Sequence, residues 1–446
     1  MASKSKRART VKQRNLAKDF MYWAIAVFVI KLIIIGNVQG GAWLGADGEN
    51  YLAGYAAMLK DGIFATETKL TYWPAGYPLF ILLLSIIGKT FVLTTLSVVQ
   101  SAIYSFAGYF FALQLAKTKL KKFAYLAFFM ILFNPTLTLS SIATGYESLT
   151  ASGYLVVLGL LIKDFVQKDD KKLLPYIGIS SGIFGFMSFI QPRLIVSGIL
   201  INLIWVLIRK PWKSASLLIA TSLAITLFFP ATLIYRNHKA IGLNTISTNL
   251  GGTMNIGAGD QAEGGYASKY VGVPCNTTGS AAQKDNQQVI CVLKWYLNNP
   301  DKAVKLFYNK TKFFWSPWKG QLANGTMARN PWLKIHPVSD IQNSPDGDKL
   351  VRGPIGSLFS WGWLIGGLGF LIYGFIVLWR LKSLERFIGS IAAIAIGTSW
   401  LISLITIGDH RFRLPIMGMS LFLQAVGIRT LFKGGKPPMV DGPGLR

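Results

Sequence analysis

Apolar runs recur along the chain from Phe20 to Phe432, separated by short segments rich in Lys and Arg. Ten of them predict spanning helices, at roughly 20–38, 91–115, 123–140, 149–163, 173–190, 194–208, 214–234, 356–379, 387–406 and 414–431. At ~1.5 Å rise per residue such runs are matched to ~30 Å of hydrocarbon. One further run, Tyr77 to Gly88, is only a dozen residues long and reads as re-entrant or interfacial. Two longer polar stretches interrupt the pattern, at 39–90 and 236–355. They divide the chain into a helical core with a large first loop (1–235), an external segment (236–355) and C-terminal helices with a tail (356–446).

Composition agrees with the pattern. Of 446 residues, 52% are hydrophobic and 15% charged, against about 25% charged in a soluble domain. That excludes a soluble enzyme, a disordered tail protein and a disulfide-rich secreted scaffold. A net charge of +27 would suggest nucleic acid if the cations shared one face. They lie instead between hydrophobic blocks, so membrane lipids are the partner and no nucleic acid is expected. The fold class is all-α and polytopic.

The cations also predict sidedness. With 77–88 left out as a span, 25 of the 46 Lys+Arg fall in segments 1–18, 117–122, 163–172, 209–213, 380–386 and 429–446. The positive-inside rule makes these cytoplasmic. Lys60, Lys69, Arg193, Arg411 and Arg413 lie in the short external segments. If 77–88 spanned, every later loop would flip and 18 of the 25 would move outside. Both termini are therefore expected in the cytoplasm. The first helix is expected to be retained, since no small-residue cleavage site follows it. Cys275 and Cys291, sixteen apart in the second external segment, read as a disulfide outside the cytoplasm, with two free thiols as the alternative.

In the first external loop, Tyr51, Leu52, Tyr55, Ala56 and Leu59 recur at helical spacing, predicting an amphipathic juxtamembrane helix from Asn50 to Lys60. Asp47 and Glu49 stand at its start, where the helix dipole favours a carboxylate. An N-cap role is the plainest account of Asp47. The Trp73-Pro74 and Tyr77-Pro78 pairs then bend the chain.

The order Asp47-x-x-x-Tyr51, Tyr55-Ala56, then Pro74-Ala-Gly76-Tyr77-Pro78 resembles the first periplasmic loop of the GT-C glycosyltransferases. In particular it resembles the bacterial branch related to protein O-mannosyltransferases and lipid A aminoarabinose transferase. Asn134-Pro135 with Tyr146-Glu147 is similar to the second external loop of that family. Tyr235-Arg236-Asn237, the Asn249 to Gly257 stretch, Tyr296 to Pro300 with Lys310, and Arg411-Phe-Arg413-Leu-Pro415 are further echoes.

The resemblance implies a GT-C-type arrangement of about ten helices, with juxtamembrane helices in the first loop and a mixed external segment between helices seven and eight. It implies a bacterial cytoplasmic membrane and a site on its outer face. There a sugar passes from a polyprenyl-phosphate donor to a lipid, glycan or protein acceptor. Asp47 is then the general base, with Glu49 or Glu147 assisting acceptor or metal. Asp47 and Glu49 are the oxygen ligands for a divalent cation, Mg²⁺ or Mn²⁺, if the reaction uses one. Arg411 and Arg413, with Arg236, Arg193 and His410, are the expected phosphate contacts, since the Arg fork suits phosphate oxygens. Tyr51 and Tyr77 are expected to line the substrate site. A transporter or flippase for a lipid-linked sugar is the competing reading, for which charges inside the spans, such as Lys31, would be the sign. A polymerase or ligase acting on an undecaprenyl-linked glycan shares the same donor logic.

Overall fold

A computed structural model of the chain describes residues 16–44, 47–265, 272–315, 353–381 and 384–432. The described residues are helical apart from loops and one pair of two-residue strands. In chain order they form α1 (Leu16–Gly36), β1 (Trp43–Leu44), α2 (Gly48–Asp61), α3 (Lys69–Tyr72), α4 (Gly76–Ser85), α5 (Val92–Leu115), α6 (Lys121–Leu132), α7 (Pro135–Ser140), β2 (Ala143–Thr144) and α8 (Glu147–Gln167). There follow α9 (Asp170–Ile190), α10 (Ile195–Arg209), α11 (Trp212–Ile241), α12 (Leu250–Ile256), α13 (Ala281–Asn298), α14 (Pro300–Trp315), α15 (Gly353–Trp379), α16 (Leu384–Ile405) and α17 (Met417–Phe432).

Among the described residues, eight helices are long and apolar enough to cross a membrane. The pattern predicts ten, and the difference arises in two places. The run 123–140 is split: Asn134 takes an extended ψ of 116°, its side chain accepts from the Leu137 amide at 3.0 Å, and Pro135 opens a new helix. The run 356–379 lies within α15, whose 27 residues are long enough to span, and it stands outside the eight because only its stretch 364–379 is fully described. The 77–88 run forms α4, ten residues long, and at ~1.5 Å per residue that reaches only about half of ~30 Å.

The bundle is held by α5 along α8, α9 along α11 and α15 along α17. α8 is the central helix, with most of its residues buried, from Glu147 to Phe165. At its far end buried Asp164 accepts from Trp205 Nε1 and Arg209 Nε, both at 2.9 Å. Lys31, the mid-span cation, is fully buried with its ammonium 4.2 Å from the centroid of the Tyr104 ring, a cation–π contact.

In the external segment, 316–352 lie outside the described residues, and the described remainder contains helices and loops. The stretch from Gln283 to Phe314, which reads as helical in the sequence, is broken at Asn299-Pro300 into α13 and α14. α13 starts at a reciprocal capping box between Ser280 and Gln283. Cys275 and Cys291 are joined as a disulfide with a Cα–Cα distance of 6.0 Å, tying the loop before α13 to that helix. It borders an apolar cluster that includes Met254, Val273, Val292, Tyr296 and Leu306. In the chain-entropy account a loop of this size is worth about 3 kcal/mol. Cys275→Ser/Cys291→Ser should therefore melt several degrees lower than the parent in thermal unfolding under non-reducing conditions. Equal melting temperatures would show that the apolar cluster suffices.

Candidate active site

A parallel pair of two-residue strands builds the site. β1 lies beside β2 in the register Trp43↔Ala143 and Leu44↔Thr144. Three residues after Leu44 comes Asp47, and three residues after Thr144 comes Glu147. Equal spacing from a parallel pair delivers two carboxylates, a hundred residues apart in sequence, to one place. Buried polar groups from α5 hold β2 in position. Ser97 Oγ donates to Ile142 O at 2.9 Å, and Gln100 Nε2 donates to Ala143 O at 2.9 Å. Tyr77 donates from its hydroxyl to Gln100 Oε1 at 3.0 Å and accepts from the Gly145 amide at 2.8 Å. A Cβ on Gly145 would stand 2.4 Å from Glu147 Oε2, so the turn between β2 and α8 leaves no room for another side chain.

Asp47 is the N-cap residue of α2, yet its side chain makes no capping hydrogen bond. It turns instead to Arg411. Arg411 Nη2 donates to Asp47 Oδ2 at 2.6 Å and its Nε donates to Glu147 Oε1 at 2.8 Å. The guanidinium thus bridges the two carboxylates, each bond charge-assisted. The Arg411 side chain is 13% exposed, that of Glu147 2% and that of Asp47 24%. Asp47 is the open member of the trio and Glu147 the buried anchor.

Arg411 sits in a 3-10 turn, His410–Ile416, which starts where Asp409 Oδ1 accepts from the Arg411 amide at 2.8 Å. Aromatic groups surround the trio. Tyr146, 2% exposed, accepts from Arg193 Nη2 at 3.0 Å. Arg193 also lies 3.7 Å over the ring of Phe412. Burial, then the charge of Asp47, pushes the Tyr51 phenol well above its ordinary pKa, and burial raises Tyr146. Both stay neutral donors beside the carboxylates at physiological pH.

The remaining sequence candidates fall elsewhere. Arg413 is two residues from Arg411, and at three residues per turn the two side chains point about 120° apart. Arg413 is 8% exposed, with Nε buried and without a hydrogen-bond partner among the described residues. It lines a cavity of ≈ 90 Å³ with Asn134, Trp315 and Gln424. Arg236 is a correction. Its fork closes on the first loop, with Nε donating to Ile63 O at 3.0 Å and Nη2 to Ala65 O. Nη1 donates to Asn237 Oδ1 at 2.9 Å, so these donors are committed to protein oxygens rather than to a phosphate. Tyr77 and Tyr51 are likewise buried, at 0% and 2% exposure, with ring centroids 4.9 Å apart. They form the wall behind Asp47 rather than a substrate-facing surface. Glu49 is exposed on the first turn of α2. His410 opens the Arg411 turn, and its side chain lies outside the described residues.

The expected ligands of a divalent cation are Asp47 and Glu49. Among the described residues no group of three or more His, Cys, Asp or Glu could hold a metal ion. Arg411 holds one oxygen of each nearby carboxylate, Oδ2 of Asp47 and Oε1 of Glu147. No step below is routed through a metal.

Lys310 has a role that the sequence reading lacked. It lies on the buried stripe of α14, Ala303, Leu306, Lys310 and Phe314, and a lysine at that spacing was the available signal. Its ammonium donates to Tyr296 Oη at 2.7 Å, Leu404 O at 2.9 Å and Thr406 O at 2.6 Å. These carbonyls end α16, where the dipole favours a cation. Gly408, whose Cβ would be 2.5 Å from Lys310 Cα, donates its amide to Gly264 O at 2.9 Å. The strand of chain that leads into Asp409 and Arg411 is pinned at both points.

Burial lowers the Lys310 ammonium to about 7 from 10.5. The folded protein then binds fewer protons than the unfolded chain between those values. Stability should rise with pH across that window, by up to about 1.4 kcal/mol per unit, and lose this dependence below about 7. Lys310→Met should remove that slope in melts from pH 6.5 to 10; an unchanged slope would assign it to other groups.

Comparison of the sequence with protein-family models finds no match, and comparison with curated proteins finds none. Among solved structures, the apo archaeal oligosaccharyltransferase of Archaeoglobus fulgidus is similar with a TM-score of 0.48 and 13% identity, over 92% of this chain and 51% of that one. The same enzyme with an inhibitory peptide and a dolichol-phosphate gives 0.48 and 14%, over 96% and 53%. With a tethered acceptor peptide it gives 0.49 and 14%, over 92% and 50%. The chain spans about half the length of these proteins. A likeness of this extent decides neither fold nor activity.

Proposed function

We propose that the chain is a membrane glycosyltransferase of GT-C type, moving a sugar from a polyprenyl-phosphate donor to a lipid, glycan or protein acceptor. The reading places it in a bacterial cytoplasmic membrane, both termini cytoplasmic, with its site on the outer face. The observation that carries it is the pairing of Asp47 and Glu147 through Arg411, at the positions where the sequence resembles the acidic loops of that superfamily.

The acceptor hydroxyl attacks the anomeric carbon, and the bond from that carbon to the phosphate oxygen breaks. Asp47, the exposed carboxylate, accepts the hydroxyl proton, a contribution of about 10²–10⁴ in rate for a positioned base. Polyprenyl phosphate leaves with its negative charge. Arg193, beside Tyr146 and partly exposed, is the cation offered to that phosphate. Glu147 and Arg411 hold Asp47 in place.

Purified protein should release polyprenyl phosphate from at least one member of a panel of polyprenyl-phosphate monosaccharides given a mixed acceptor extract. Consumption of none, with the donors bound, would favour a transporter or flippase. Activity only with a polymeric acceptor would move the reading to a glycan ligase.

A further inference from the structure

The end of the bundle opposite Asp47 carries a second cluster of charge. α1 runs for 21 residues between the two ends, about 30 Å. Near its first residue, Leu16, the helices α1, α6 and α17 leave a cavity of ≈ 750 Å³. Its wall is apolar, with Leu126 and Phe129 of α6, and its rim carries Lys119, Lys121, Lys122 and Arg429.

The three lysines are exposed, whereas Arg429 Nε is buried and has no hydrogen-bond partner among the described residues. Leu120 occupies the N-cap position of α6 and brings no side-chain oxygen to that end of the helix. The dipole of a twelve-residue helix therefore adds positive potential at the same rim. Asp19, the carboxylate on this side of α1, has its Oδ2 engaged by the Tyr125 hydroxyl at 2.5 Å. Four cations and a helix N-terminus thus converge on a space whose depth is hydrocarbon-like.

We propose that this cavity is a binding site for an anionic phospholipid, its phosphate held by Lys121, Lys122 and Arg429 and its acyl chains laid against Leu126 and Phe129. A free phosphate would satisfy the rim and leave the apolar wall uncovered. A zwitterionic lipid would cover the wall and bring its own cation to a cationic rim. Basic pockets between transmembrane helices recognise anionic headgroups by this combination. The inference rests on the chain lying in a bilayer and is independent of the transfer reaction at the other end.

The test is native mass spectrometry of the full chain, purified in detergent and stripped of lipid. It is offered dioleoylphosphatidylglycerol or dioleoylphosphatidylcholine at equal concentration. The phosphatidylglycerol should be retained at least tenfold more tightly, with about one per protein. Lys121→Gln/Lys122→Gln/Arg429→Gln should weaken that by about a hundredfold, each cation contributing about fivefold. Lys168→Gln/Lys171→Gln/Lys172→Gln removes the same charge from another loop of that end and should leave retention unchanged. Equal retention of the two lipids, equal loss in the two triple variants, or displacement by inorganic phosphate at matched concentration would each overturn the proposal. If replacing Arg429 prevents folding, the Lys121→Gln/Lys122→Gln pair, both exposed, is read by the same criteria, with a loss of about twentyfold expected.

Discussion

Arg411→Met should abolish sugar transfer and lower the melting temperature at the same time. The guanidinium meets two carboxylates, at 2.6 Å to Asp47 and 2.8 Å to Glu147. Removing it leaves Glu147, 2% exposed, as a buried charge without its counter-ion. Breaking a buried pair from one side typically costs about 3–5 kcal/mol. Positioning suffers as well, because β1 is only two residues long and the polar contacts from α5 hold β2 rather than β1. Arg411→Lys should recover part of the stability and little of the rate, since one ammonium cannot reproduce the two-pronged geometry. Calorimetry beside a transfer assay separates the two effects. A variant that melts like the parent and retains its rate would show that the two carboxylates are held by other means.

Much of this architecture was legible in the chain. Runs of apolar residues located the long helices, and Pro135 and Pro300 stood at the two breaks that the periodicity ran across. Arg411 was visible because cations at external span boundaries are few, Asp47 by its place before the amphipathic helix and by the resemblance, and Glu147 through the resemblance alone. Their union was not, because it depends on a strand pair of two residues each, too short to leave a period. The directions of Arg411 and Arg413 could not be read either. A helical or extended segment would have placed them differently, and the 3-10 turn separates a salt-bridging arginine from one that lines a cavity. Arg236 was expected at the phosphate through the resemblance. Its true partners are main-chain oxygens of residues 63 and 65, which no pattern of side chains announces. Gln100 and Ser97 were overlooked for a related reason. They are polar residues inside an apolar run, and their spacing of three on one face of α5 was the available clue.

Asp47→Asn should stop transfer while leaving the donor bound. The amide keeps the size of the side chain and an oxygen for Arg411, but it cannot take a proton from an acceptor hydroxyl. The rate should fall by about 10²–10⁴, and stability should change less than in Arg411→Met because Asp47 is the more exposed carboxylate. Glu147→Gln, at the buried position, should instead lower stability as well as rate. The most direct measurement is release of polyprenyl phosphate in a single turnover by the parent and by Asp47→Asn, with donor affinity measured on the same preparations. The account predicts a rate lower by at least about a hundredfold at unchanged donor affinity. A folded Asp47→Asn protein that releases polyprenyl phosphate at the parental rate would contradict it.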